Sequence, residues 1–215
     1  MKSKITLLIL LKSILLFMIV TILVVTENVQ TENVNHAFYL LLAERIHPTL
    51  TVIAAWIGNL THWYAYAPIV LILLILPRTR MKAGLPIGAA LSASAILGPV
   101  VLKNIFAIER PNINQLIDPG GFGYPSGHSI NAMVFFSACL IIVLRYSKNK
   151  ALKIGFTVFA MICILLVGLS RIYLGVHTLT DVIGGYLAGS VVICTGLLVE
   201  RRISQKAKTT SGGDL

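Results

Sequence analysis

Six stretches of this chain are almost free of charge over about the length needed to cross a lipid bilayer, and that property removes most folds from consideration. They run from Thr6 to Val25, Leu60 to Leu76, Ala83 to Phe106, Ser129 to Leu144, Ile154 to Ile172 and Asp181 to Val199. A helix rises about 1.5 Å per residue and the hydrocarbon layer is about 30 Å thick, so about twenty apolar residues suffice to span it. Inside lipid every backbone N–H and C=O must be satisfied internally, which favours helices for runs of this length. The expected fold is therefore all-α, a six-transmembrane-helix bundle. A composition of 56% hydrophobic and 12% charged residues excludes an ordinary water-soluble globule.

The net charge of +10 might suggest a nucleic-acid partner, but the basic residues do not line amphipathic faces interleaved with aromatics. They cluster between the apolar runs, where they set orientation. Lys2, Lys4 and Lys12; Arg78, Arg80 and Lys82; Arg145, Lys148, Lys150 and Lys153; and Arg201, Arg202, Lys206 and Lys208 fall on one side of a six-span layout. That is fourteen of eighteen, so this side is expected to be cytoplasmic, with both termini inside. The first span follows Lys2 and Lys4 and ends in Val-Val-Thr-Glu-Asn without a small-residue cleavage pattern, so it reads as a retained anchor. Residues 1–206 form one membrane-embedded domain in this reading, and 207–215 a disordered cytoplasmic tail.

An outer interfacial segment, about residues 27–59, is expected to hold a helix over His36 to Ile46 with Phe38, Tyr39, Leu41 and Leu42 toward lipid. Trp56, Trp63, Tyr64 and Tyr66 fit an aromatic belt at that surface. Asn59-Leu60-Thr61 matches a glycosylation sequon, a short and unspecific pattern. Cys139, Cys163 and Cys194 lie apart within apolar runs and read as buried apolar residues.

Only Arg45, Lys103, Arg110 and Arg171 fall at the outer side, where orientation disfavours them, so chemistry is the better account. Lys103 and Arg110 are seven residues apart, close to two helical turns, which would project both from one face about 10 Å apart. Pro111 would then end that helix at the mouth of a pocket. Pro125-Ser126-Gly127-His128-Ser129 precedes the fourth span, where a helix N-terminus with Ser126 as its cap attracts an oxyanion. Gly120, Gly121 and Gly123 have no fixed phosphate-loop spacing and read first as a flexible loop. His177 and Asp181 are four apart, so a helical turn would let the carboxylate hold one imidazole nitrogen and leave the other as a nucleophile. Three fixed cations, two histidines and a carboxylate suit phosphoryl transfer, whose transition state spreads charge over equatorial oxygens.

Lys-x6-Arg-Pro, Pro-Ser-Gly-His and Ser-Arg-x5-His-x3-Asp together resemble the three-part signature of the type 2 phosphatidic acid phosphatase family. The resemblance implies phosphate binding by Lys103, Arg110, Ser126, Gly127 and Arg171, with His128 as acid and base, His177 as nucleophile and Asp181 as its orienting partner. It also implies a reaction without metal or other cofactor, at the outer face of a cell membrane. Vanadate-dependent haloperoxidases and soluble acid phosphatases share this pocket, but six apolar spans argue against both. A lipid headgroup binder or transporter would need no His177–Asp181 pair; a lipid-linked phosphotransferase would share the first chemical step. The expected substrate is a membrane lipid phosphate or diphosphate, similar to those of bacterial members acting on phosphatidylglycerophosphate, phosphatidic acid or undecaprenyl diphosphate.

Overall fold

In the computed structural model, which describes residues 3–75, 85–111 and 113–211, every regular element among the described residues is helical. Helix α1 spans Ser3–Val25, α2 Val29–Ala43, α3 Pro48–Asn59 and α4 Trp63–Ile75. Helix α5, Leu85–Ile96, passes through a π-helical stretch, Leu97–Leu102, into a last turn, α6, Lys103–Phe106. Then come α7, Gly127–Tyr146, α8, Lys150–Tyr173, and α9, Leu179–Ser211. Five helical stretches among the described residues are long and apolar enough to cross a membrane, namely Ser3–Val25, Gly88–Phe106, Gly127–Tyr146, Lys150–Tyr173 and Leu179–Ile203. The expected second span appears only as α4, whose 13 residues fall short of that length. Its continuation, with Arg78, Arg80 and Lys82, lies outside the described residues, as does the end of the tail from residue 212. Helix α9 itself continues five residues beyond Lys206, to Ser211, over part of the expected disordered tail.

Helix α9 is the hub, touching α1, α2, α5, α7 and α8. Lipid tails are as apolar as leucine, so helices in a bilayer associate through close packing that small residues permit. Glycines along one face of α9 provide it. A Cβ added at Gly184 would fall 2.6 Å from the Tyr124 ring, one at Gly185 2.6 Å from the Ser126 carbonyl, and one at Gly189 2.8 Å from Met133 Cβ. The start of α7 therefore lies directly against α9. Ile130, Val134 and Ala138 of α7 pack with Ala188 of α9, Leu91 of α5 and Tyr66 of α4. On its other side α7 sets Ala132 and Phe136 against Ala160 and Val167 of α8. Far from these contacts, Arg145 grips Glu200 with two hydrogen bonds, 2.6 and 3.1 Å, joining the end of α7 to α9.

The interfacial segment departs from expectation. It forms two helices, because Asn28 caps α2 by accepting the Thr31 N–H, and His47 caps α3 with Pro48 in its first turn. Leu41 is exposed as expected, but Tyr39 is buried and Leu42 packs toward Leu174 and Val176, so these two face protein. In the aromatic belt Trp56 and Tyr64 are exposed, whereas Tyr66 is a core residue at 6% exposure. Its ring lies 6.0 Å from that of Phe135, and this helix contact displaces the interfacial role. The sequon threonine, Thr61, is fully buried and donates to the Gly58 carbonyl. The three cysteines are free thiols.

If the glycine face of α9 sets the helix spacing, Gly189→Ala should lower the thermal midpoint in detergent, at a cost of about 1–3 kcal/mol from overpacking. Gly196→Ala, whose added Cβ would meet no atom within 4 Å, should leave the midpoint unchanged or raise it.

Candidate active site

The expected placement of Lys103 and Arg110 on one helix face does not hold. Ala107 adopts a left-handed conformation, φ 49°, and its N–H bonds to the Lys103 carbonyl, so the helix closes at Phe106, ahead of Pro111. Lys103 sits in the last turn and Arg110 on the irregular segment beyond it. The two cations nevertheless converge because the glycine-rich segment folds back over them. Gly120 and Gly121 have φ values of 56° and 60°, open to glycine at little cost. Their carbonyls accept from Arg110 Nε at 3.0 Å each, and Gly120 O also accepts from Nη2 at 2.7 Å. Lys103 Nζ donates to Phe122 O, and the Gly123 N–H to Ile108 O. These glycines thus form a clamp that holds a guanidinium by its backbone oxygens.

The N-terminus of α7 forms the next wall. Ser126 caps it by accepting from the Ser129 N–H, and the Ser126 N–H donates to the Asp181 carbonyl at 3.0 Å, locking α7 to α9. A Cβ added at Gly127 would meet no protein atom within 4 Å, so its glycine is not required by packing within the protein. His128 follows, half-buried, within the electrostatic reach of Arg171, His177 and Lys103.

Thr178 and Asp181 cap the start of α9 reciprocally: the Asp181 N–H donates to Thr178 Oγ1 at 3.1 Å, and the Thr178 N–H to Asp181 Oδ2 at 2.9 Å. That geometry aims the same carboxylate oxygen at His177 Nδ1, 3.3 Å away. His177 itself precedes the helix and is 1% exposed. Its other nitrogen, Nε2, lies 3.2 Å from Arg110 Nη1. A guanidinium offers only donors, so Nε2 must present its lone pair and Nδ1 must carry the proton it shares with Asp181. Burial, then the charges of Arg110, Lys103 and Arg171, push the imidazole well below its ordinary pKa. His177 is thus a neutral ring with an unprotonated Nε2 facing the cations.

Arg171, near the end of α8, is 4% exposed, and its Nε has no hydrogen-bond partner among the described residues. A buried unsatisfied donor of this kind is satisfied by an anion of suitable size. The guanidinium occupies the space left by Gly58 on α3, where an added Cβ would stand 2.6 Å from Arg171 Nη1. Lys103, Arg110, Ser126, Gly127, His128, Arg171, His177 and Asp181 therefore gather at one end of the bundle. Gly58, the Val176 carbonyl that accepts from Arg110 Nη1 at 2.8 Å, and Thr178 are additions to the expected set. Of these only Thr178 left a readable trace, the Thr-x-x-Asp spacing of a helix cap.

Residues 83–204 match the PAP2 superfamily. The undecaprenyl-diphosphatase of Sulfolobus acidocaldarius is 30% identical over 158 residues, 71% of this chain and 71% of that protein. Phosphatidylglycerophosphatase B of Bacillus subtilis is 38% identical over 93 residues, 41% of this chain and only 44% of that relative's length. The crystal structure of the first transmembrane PAP2 type phosphatidylglycerolphosphate phosphatase from Bacillus subtilis superposes with a TM-score of 0.78 at 26% identity, covering 90% of this chain and 96% of that one.

Because Gly58 makes room for Arg171, Gly58→Ala should weaken inhibition by inorganic phosphate about tenfold, the loss of one charged hydrogen bond. The thermal midpoint should stay near that of the unaltered protein, because the displaced group is the far end of a long side chain.

Proposed function

The chain belongs to the PAP2 superfamily, and from that premise we propose that it removes phosphate from a membrane lipid phosphate or diphosphate at the outer membrane surface, through a phosphohistidine on His177. The observation that carries this reading is His177 itself, buried between Asp181 Oδ2, 3.3 Å from its Nδ1, and Arg110 Nη1, 3.2 Å from its Nε2. Binding an anion needs cations alone; an imidazole fixed by a carboxylate and stripped of its Nε2 proton is suited to attack phosphorus.

In the first step Nε2 attacks phosphorus while Lys103, Arg110 and Arg171, with the N–H groups at Ser126 and Gly127, bind the equatorial oxygens. The bond from phosphorus to the leaving oxygen breaks, and His128 supplies a proton to that oxygen. Asp181 holds the proton on Nδ1 and stabilises the positive charge the ring gains. In the second step His128 takes a proton from water, whose oxygen attacks the phosphohistidine and releases inorganic phosphate with His177 restored. The cations supply the charge stabilisation, so the reaction as proposed requires no metal.

The direction of the helices supports the orientation in this reading. Helix α7 starts at the site, α8 returns to it and α9 leaves it again, so Arg145, Lys148, Lys150, Lys153, Arg201 and Arg202 all lie toward the opposite end. A basic end is retained inside, which favours an outward-facing site and cytoplasmic termini. Phosphatidylglycerophosphate, phosphatidic acid and undecaprenyl diphosphate all carry the phosphoryl group that this reading transfers.

Purified protein should release phosphate from such lipids and, on acid-free quenching mid-turnover, retain acid-labile phosphate. His177→Ala should lose both, with turnover down by at least about a thousandfold; a folded variant with unchanged turnover would falsify the nucleophile. For orientation, Gln115→Cys, on the exposed segment beside the site, should react with a membrane-impermeant thiol reagent in intact cells. Labelling confined to lysed cells would place the site inside.

A further inference from the structure

His62 plays no part in the three-part signature, lies 66 positions before His128 in the chain and occupies the turn between α3 and α4. Its ring nevertheless stands edge-on to that of His128, centroid to centroid 5.8 Å, and stacks on Tyr64 at 4.7 Å with an interplanar angle of 16°. The turn is anchored to the catalytic helix. The His62 N–H donates to Asn59 O at 3.1 Å and its carbonyl accepts from the Ala65 N–H at 2.9 Å. The neighbouring Thr61 is fully buried, and its carbonyl accepts from Nδ2 of Asn131, one turn along α7 from His128. Asn131 Oδ1 in turn accepts from Ser94 of α5, so three elements fix the position of the turn. An exposed histidine on a connection is ordinarily a solvated surface residue; this one is stacked, tethered and placed beside the general acid.

The order of burial shows which part of a substrate it meets. His177 and Arg171 are 1% and 4% exposed, His128 is half-buried, and His62 is exposed. Attacking and leaving atoms lie roughly in line through phosphorus in phosphoryl transfer. With the nucleophile at the buried end, the leaving oxygen points outward to His128, and whatever is bonded to that oxygen lies beyond, at His62. Tyr64, stacked on His62, also borders an apolar cavity of about 640 Å³ between α4 and α5 that includes Leu71, Leu74 and Leu91. Among the described residues, the charged and titratable groups that face the pair are Tyr64, stacked on His62, and Arg171, Lys103 and His177 around His128.

Resting on the hydrolase reading above, we propose that His62 is a specificity-determining residue that donates a hydrogen bond to the second phosphoryl group of a lipid diphosphate. In a diphosphate one oxygen joins the two phosphorus atoms, and this bridging oxygen is the one His128 protonates. His177 Nε2 forms the new bond to the terminal phosphorus, the bond to the bridging oxygen breaks with its electron pair on that oxygen, and lipid monophosphate leaves. The phosphorus retained by the leaving group is bonded directly to the protonated oxygen, so it sits beside the ring next to His128. An imidazole carries at least one N–H donor in either protonation state. A prenyl monophosphate presents only a hydrocarbon chain at that position, which His62 cannot hydrogen-bond.

The test compares farnesyl diphosphate with farnesyl monophosphate on the full-length protein in detergent, with inhibition by inorganic phosphate as a measure of the inner pocket. His62→Ala should reduce kcat/KM for the diphosphate by about tenfold or more, the range expected for a lost hydrogen bond to a charged group. The value for the monophosphate should change by less than about threefold, and inhibition by inorganic phosphate should be unaltered. His62→Gln, which keeps a side-chain donor, should recover most of the diphosphate activity. An equal loss on both substrates, or an unchanged ratio in His62→Ala, overturns the proposal while leaving the hydrolase reading intact. Wild-type protein inert toward both substrates overturns the two together.

Discussion

Three cations that repel one another, Lys103, Arg110 and Arg171, are gathered at one end of an apolar helix bundle. In low dielectric this repulsion is strong, and each charge also loses hydration. Two devices offset the cost among the described residues. Backbone carbonyls of Gly120, Gly121, Phe122 and Val176 take up the donors of Lys103 and Arg110. Asp181 supplies the carboxylate, capped by Thr178 and bonded to His177. The set remains cationic, and Arg171 Nε has no hydrogen-bond partner among the described residues. Such a site gains most from an anion that spans the three positions, and a trigonal phosphoryl group has the oxygens to do so.

The same demand explains the helix packing around the pocket. Ser126 and Asp181 belong to different helices, yet the Ser126 N–H bonds to the Asp181 carbonyl, which requires the backbones of α7 and α9 to approach closely. Gly184 and Gly185 permit that approach, and Gly58 gives the Arg171 guanidinium its place. Side chains at these positions would displace Tyr124, Ser126 or Arg171 without altering any of them. Glycine thus works here through the space it leaves, except at Gly120 and Gly121, where a positive φ turns the carbonyls onto Arg110.

The candidate site was legible because its residues were out of place. Lys103, Arg110 and Arg171 lie at the end of the bundle opposite the basic clusters of α7, α8 and α9, and Ser126, His177 and Asp181 stand at helix starts that capping rules identify. Periodicity misled where the chain stopped being regular. The seven-residue spacing of Lys103 and Arg110 suggested one helical face, but the left-handed Ala107 ends the helix between them. Nothing local distinguishes that alanine from its neighbours. The glycine-rich stretch read as a loose loop because its role depends on the Arg110 guanidinium, ten and eleven positions earlier, folding onto the Gly120 and Gly121 carbonyls. Tyr66 read as an interfacial aromatic because hydropathy does not say which face of α4 meets Phe135 and which meets lipid.

Composition and spacing alone established an all-helical membrane chain and the identity of the ionisable groups at one end of it. Both follow from local physics: the cost of an unpaired backbone group in hydrocarbon, the rise of a helix, and the preference of capping residues for helix ends. Convergence was decided only in three dimensions. The contacts of Arg110 with Gly120, Val176 and His177 cross up to 67 positions of chain, and those of His62 with His128 cross 66. Such contacts arise from how helices pack against one another, and packing depends on the shapes of surfaces that a linear pattern does not encode.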